Sequence, residues 1–193
     1  MGSTEALDWD WHFAANAEPK SWQFSAECLM SAANVLWDEF MRPVRARNKQ
    51  LAQHPDGPIE EMPTSEFPDH GLAALLLSGY AIENILKGIR LRHWQLKGEN
   101  AVVDGKLATD FTTHRLKAYT EDAAMPGTSD TDKDVLLRLQ QCIEWTGKYP
   151  VSTDATRVIG RLGLTPFRVL TSQQCDDVQK LYARLKQFYE GLG

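Results

Sequence analysis

A chain of 193 residues, 42% of them apolar and 24% charged, with a formal charge of -5, has the size and balance of one soluble domain. At that length folding buries roughly 70% of the unfolded surface, so neither disulfides nor metal ions are needed to hold the fold. The acidic balance argues against a broad non-specific nucleic-acid face while leaving room for a local basic patch.

Residues 1–18 carry Trp9, Trp11 and Phe13 among acids and alanines, too aromatic for a solvated tail and too short for a domain, and are expected to form a docking arm. Glu5, Asp8 and Asp10 stand where a signal peptide would carry positive charge, so secretion is not expected. From Ser21 onward, Trp22, Ala26, Leu29, Ala33, Leu36, Phe40 and Val44 recur at steps of three or four, which predicts one apolar face of a long first helix. Pro43 either ends that helix or kinks it on its way through the basic run Arg42, Arg45, Arg47 and Lys49. Pro55, Pro58, Pro63 and Pro68 mark the next segment as loop.

A second helix is predicted from about Gly71 to Leu96. Leu72, Leu75, Leu76, Ile82, Leu86 and Ile89 share one face, and Leu77, Ala81 and Ile85 widen it enough to place this helix at the centre of a bundle. Its run Leu72 to Leu77 is the longest in the chain and too short to span a bilayer, so no membrane is expected. Val102-Val103 and Lys106-Leu107 flank Asp104-Gly105, the pattern of a small hairpin near 101–108. Leu116 and Tyr119 suggest a short helix from His114 to about Ala123. Ser129 to Asp132 resembles a capping box that opens a helix carrying Val135, Leu139, Cys142 and Ile143. After an irregular crossover, Thr171 with Gln174 forms a second such box. A last helix then carries Cys175, Val178, Leu181, Tyr182, Leu185 and Phe188 and closes at Gly191. The expectation is an all-α, up-and-down bundle of four to five helices forming one domain over 19–193. The cysteines Cys28, Cys142 and Cys175, expected on apolar faces with no CxxC pair, fit a reducing, cytoplasmic compartment.

Neither GxxxxGK[ST] nor GxGxxG occurs, which excludes nucleotide binding by those two routes. The five histidines never pair as HxxxH or HExxH, and no zinc site or cofactor is expected. The densest polar cluster in apolar surroundings is Tyr80, Glu83, Lys87, Arg90 and His93. Glu83 precedes Lys87 by four residues, an ion-pair spacing worth about 0.2–0.5 kcal/mol when exposed, but the neighbours Ala81, Ile82, Ile85 and Leu86 predict burial. The favoured reading is a structural pair that fixes helix register. The other reading sets Lys87, Arg90 and His93 along one edge as a phosphate-facing strip. For His114 the choices are a helix-start residue bonding nearby backbone or a base.

The stretch Ser78-Gly79-Tyr80-Ala81-Ile82-Glu83-Asn84-Ile85-Leu86-Lys87-Gly88, then Thr113-His114-Arg115-Leu116, then Trp145-Thr146-Gly147-Lys148-Tyr149-Pro150, resembles the HEPN superfamily of small helical proteins. Thr113 and Lys148 stand where that pattern carries Gly and Arg. The resemblance implies a bundle of about four long helices and a two-fold dimer. Many members are metal-independent endoribonucleases with an Arg-x4-6-His motif, in which a guanidinium holds the scissile phosphate and an imidazole moves the 2'-hydroxyl proton. Only Arg47 and His54 have that spacing here, and no histidine follows His114, where the family usually places its motif. Two functions follow, beside a purely structural or sensory helical bundle as a third. The first is a non-catalytic homodimeric interaction module for RNA, nucleotide or a protein partner, with Tyr80, Glu83, Lys87, Arg90, His93 and His114 as candidate binding residues. The second is a ribonuclease using Arg47 and His54.

Overall fold

The computed structural model describes residues 17–53, 70–103, 106–146 and 172–192. It is an all-α helical bundle: α1 (Pro19–Gln53), α2 (His70–Leu96), α3 (Asp130–Gln141) and α4 (Ser172–Gly191). A two-stranded antiparallel hairpin, β1 (Val102–Val103) with β2 (Lys106–Leu107), pairs Val102 with Leu107. The Trp9/Trp11 arm, the crossover and the Thr171 cap lie outside the described residues.

α1 starts on Pro19, whose fixed φ suits a first helical position, and it continues through Pro43 to Gln53. Its buried face is Ala26, Met30, Ala33, Trp37 and Met41, rotated from the predicted one: Leu29, Leu36, Phe40 and Val44 flank the core half-buried. The rotation follows from what packs best against α2. Ala26 and Ala33 let the backbones approach, and Trp37 enters the core because its Nε1 donates to the buried Ser78 Oγ at 3.3 Å. Cys28, predicted on an apolar face, is instead exposed, whereas Cys142 and Cys175 are buried.

α2 packs against α1, α3 and α4, so its wide apolar surface sits at the hub as its composition predicts. It is the one described helix long and apolar enough to cross a membrane, but 67% of its most apolar window is buried inside the bundle, as in a core helix. Gly79 faces the turn after α3 so closely that a Cβ there would lie 3.0 Å from Ile143 Cγ1. Pro19 and Trp22 approach Gly88, while Trp37 meets Ser78, so α1 and α2 run antiparallel. At that register Arg45 is about level with His70, the first residue of α2, and the rest of α1 projects beyond it.

The helix predicted from His114 is instead a 3-10 segment, Leu116–Glu121. Leu116 and Tyr119 are both buried, and a spacing of three suits a three-residue turn as well as an α-helix. The hairpin and the turn Thr109–Phe111 close over a second, smaller core of Leu91, Ala101 and Phe111, with Trp94 edge-on to Phe111.

The capping box at α3 forms as predicted. Ser129 Oγ accepts from the Asp132 backbone N–H, and Asp132 Oδ2 accepts from the Ser129 backbone N–H at 2.7 Å. Asp132 also binds Arg184 of α4, Nη2 to Oδ1 2.6 Å, which ties the cap to another helix. Burial pushes the Asp132 carboxyl up, but the Ser129 and Arg184 bonds outweigh it and hold the group below its ordinary 3.8. A carboxyl depressed on folding stabilises the fold above its unfolded value and loses that contribution as pH falls through its folded one. Asp132→Asn should therefore cost about 1 kcal/mol at neutral pH, the size of a lost cap, and progressively less below the ordinary carboxyl value, as urea unfolding at a series of pH values would show.

Candidate functional site

The most concentrated polar chemistry among the described residues lies where the middle of α2 meets the segment entering the 3-10 turn. Its centre is Glu83, 2% exposed and set between Ile82 and Ile85, both fully buried. A carboxylate so placed must be paired, because an isolated buried charge costs several kcal/mol, roughly, even after relaxation. Two partners meet it. Lys87, one turn along α2 and 5% exposed, donates from Nζ to Glu83 Oε1. His114 brings Nδ1 to 3.1 Å from Oε1 and 3.0 Å from Oε2, so one ring nitrogen addresses both carboxylate oxygens.

The surroundings fix both partners in place. Lys87 Nζ lies 5.3 Å from the centre of the Trp22 ring, which brings the start of α1 into the site. Tyr80, one turn before Glu83, stands edge-on to the His114 ring with centroids 6.3 Å apart. The His114 side chain is 42% exposed, so its Nδ1 edge is turned to the buried carboxylate and the ring's other edge is open to solvent. Held in this way, imidazole is oriented as in catalytic pairs where a carboxylate fixes the ring.

Further along α2, Arg90 Nε is 3.2 Å from Asp122 Oδ2, and its guanidinium carbon lies 5.9 Å from the ring centres of Phe111 and of Tyr119. Glu83 and Arg90 therefore clamp the two ends of the His114–Asp122 segment onto one helix. The structure brings together Tyr80, Glu83, Lys87 and His114, with Arg90 one turn beyond. His93 is half-buried near the end of α2, and no side-chain hydrogen bond or ion pair among the described residues joins it to the cluster. The phosphate-facing strip does not form: Lys87 turns inward to Glu83, and Arg90 is held by Asp122 and two rings.

Arg47 lies far from this cluster. It is half-buried on the projecting part of α1, and helical rise places it roughly 20 Å along that helix from the level of Glu83. His54 lies outside the described residues. Arg42 pairs with Glu39, and Arg45 Nη1 is 2.8 Å from Asp38 Oδ1, all on exposed surface. No group of three or more His, Cys, Asp or Glu side chains that could hold a metal ion occurs among the described residues.

Sequence reasoning did not find Asp122, Trp22 or Arg184 as partners, and nothing local marks them: Arg90 and Asp122 belong to different elements, as do Lys87 and Trp22 and Asp132 and Arg184. The pairing of His114 with Glu83 spans 31 residues and likewise leaves no local signal. Compared with protein-family models, with curated proteins and with solved structures, the chain finds no match.

Proposed function

We propose that this chain is a HEPN-like, non-catalytic, homodimeric module that binds RNA through the projecting end of α1. The observation that carries the reading is charge placement. From Arg42 to Gln53 the helix has four basic residues and no acidic one, in a chain whose net charge is -5. From Arg45 onward every residue but the half-buried Arg47 is exposed. Arg42 and Arg45 share their charge with Glu39 and Asp38, which leaves Arg47 and Lys49 to meet phosphates without reading bases, and Asn48, Gln50 and Gln53 add neutral donors beside them. The Glu83–Lys87–His114 cluster then serves as a brace for the bundle, because the Glu83 carboxylate, the Lys87 ammonium and the His114 Nδ1 are each already another's partner.

Binding of this type weakens steeply with salt, and each phosphate contact removed flattens the dependence by about one unit of slope. Arg47→Ala with Lys49→Ala should lower the slope for a single-stranded RNA by about two and leave the fold intact. Binding that is indifferent to salt, or to both replacements, would end the RNA reading. The ribonuclease alternative rests on the Arg47/His54 spacing. Incubating wild type and His54→Ala with RNA in chelator decides it, and we expect no cleavage from either.

A further inference from the structure

The four basic residues near the projecting end of α1 are not alike. Arg42 binds the Glu39 carboxylate one turn back, and Arg45 reaches two turns back, past Glu39, so that its Nη1 lies 2.8 Å from Asp38 Oδ1. Both guanidiniums are thus drawn toward the packed part of the helix. Arg47 and Lys49 have no side-chain ion pair among the described residues.

Steps of four, three and four place Asp38, Arg42, Arg45 and Lys49 in one stripe along the helix. From Arg42 to Lys49 the stripe rises about 10 Å. Released from their acids, the two arginines would continue the charge of Lys49 back along that row. What holds them is weak. Their side chains are 71% and 63% exposed, and ion pairs so open to water change an equilibrium by roughly one- to fivefold each. A phosphate accepts the same two-pronged bond from a guanidinium as a carboxylate does, and a phosphate chain already seated on Arg47 and Lys49 presents its next phosphates at high effective concentration.

We propose that Asp38 and Glu39 are a built-in competitor for phosphate: they occupy Arg42 and Arg45 in the free protein and yield both guanidiniums to a phosphate chain seated on Arg47 and Lys49. The inference rests on the reading of this end of α1 as a phosphate-binding surface, and it adds what that surface selects. A free phosphate or a mononucleotide meets the two unoccupied cations and is too short to displace the acids. A chain long enough to run from Lys49 to Arg42 meets all four. Extended phosphate chains are therefore favoured over small phosphorylated molecules.

The test is a double-mutant cycle on the full-length protein. It is read as affinity for a single-stranded RNA and, separately, for inorganic polyphosphate, a phosphate chain with neither base nor ribose. Asp38→Asn with Glu39→Gln removes the competitor while keeping side-chain shape, and should tighten binding about fivefold, the combined worth of two exposed pairs. With Arg42→Gln and Arg45→Gln also in place, the same removal should change affinity by less than about 1.5-fold. Circular dichroism should be the same for all the variants, because none of the four side chains is buried.

Acids that merely repel a polyanion through space would give the same gain whether or not the arginines are present. That result overturns the proposal, as does no gain at all. The two probes separate it from the RNA reading. The expected pattern with polyphosphate alone keeps the competitor and ends the RNA reading. RNA that binds through Arg47 and Lys49 without the pattern does the reverse, and no binding of either probe ends both.

Discussion

Lys87→Ala should destabilise the protein by about 3–5 kcal/mol, a large share of what holds a domain of this size together. The same pair exposed on an isolated helix would be worth about a tenth of that. The difference comes from burial: both side chains are almost wholly enclosed, so removing the ammonium leaves the Glu83 carboxylate inside apolar walls with only His114 beside it. The double replacement Glu83→Leu with Lys87→Met removes both charges, fills similar volume and should cost about 1 kcal/mol or less. Urea unfolding of the two single variants and the double yields the coupling directly. A loss for Lys87→Ala alone of about 1 kcal/mol or less would mean that the pair is hydrated and that the site is a cleft rather than a brace.

The second large effect is at Trp37, 2% exposed and the largest fully buried side chain among the described residues. Trp37→Ala should cost about 3–5 kcal/mol, from lost transfer energy and from the cavity left between α1 and α2. Ser78→Ala removes less volume but takes away the acceptor of the buried indole N–H, and should cost about 1–3 kcal/mol. Because the two residues share one hydrogen bond, Trp37→Phe combined with Ser78→Ala should lose less than the sum of the separate losses, again by urea unfolding.

How much of this was legible in the residues follows from the range of each interaction. The helix at the hub, the Ser129–Asp132 cap, the Val102–Leu107 hairpin and the Glu83–Lys87 pair are all written within a few positions of one another, and local spacing reveals them. The core face of α1 is legible in part: Ala26 and Ala33 are buried and Leu29, Leu36, Phe40 and Val44 pack beside them, but periodicity alone does not show that Met30 and Trp37 hold its centre. The choice depends on what α2 offers opposite, here Ser78 and a row of small residues. The stretch from His114 to about Ala123 reads as a short helix because Leu116 and Tyr119 satisfy both periods. Its clamps at Glu83 and Arg90 come from a different element and leave no local trace.

Pro43 carries no N–H, so the carbonyl of Glu39 lacks the donor that would normally close that turn of α1. The missing bond falls just before the level at which α2 ends. The bundle therefore fixes one part of this helix by packing and leaves the other to be aimed by its own backbone at a weakened joint. A residue with an N–H at position 43 would restore that bond and stiffen the joint without altering the packed hub.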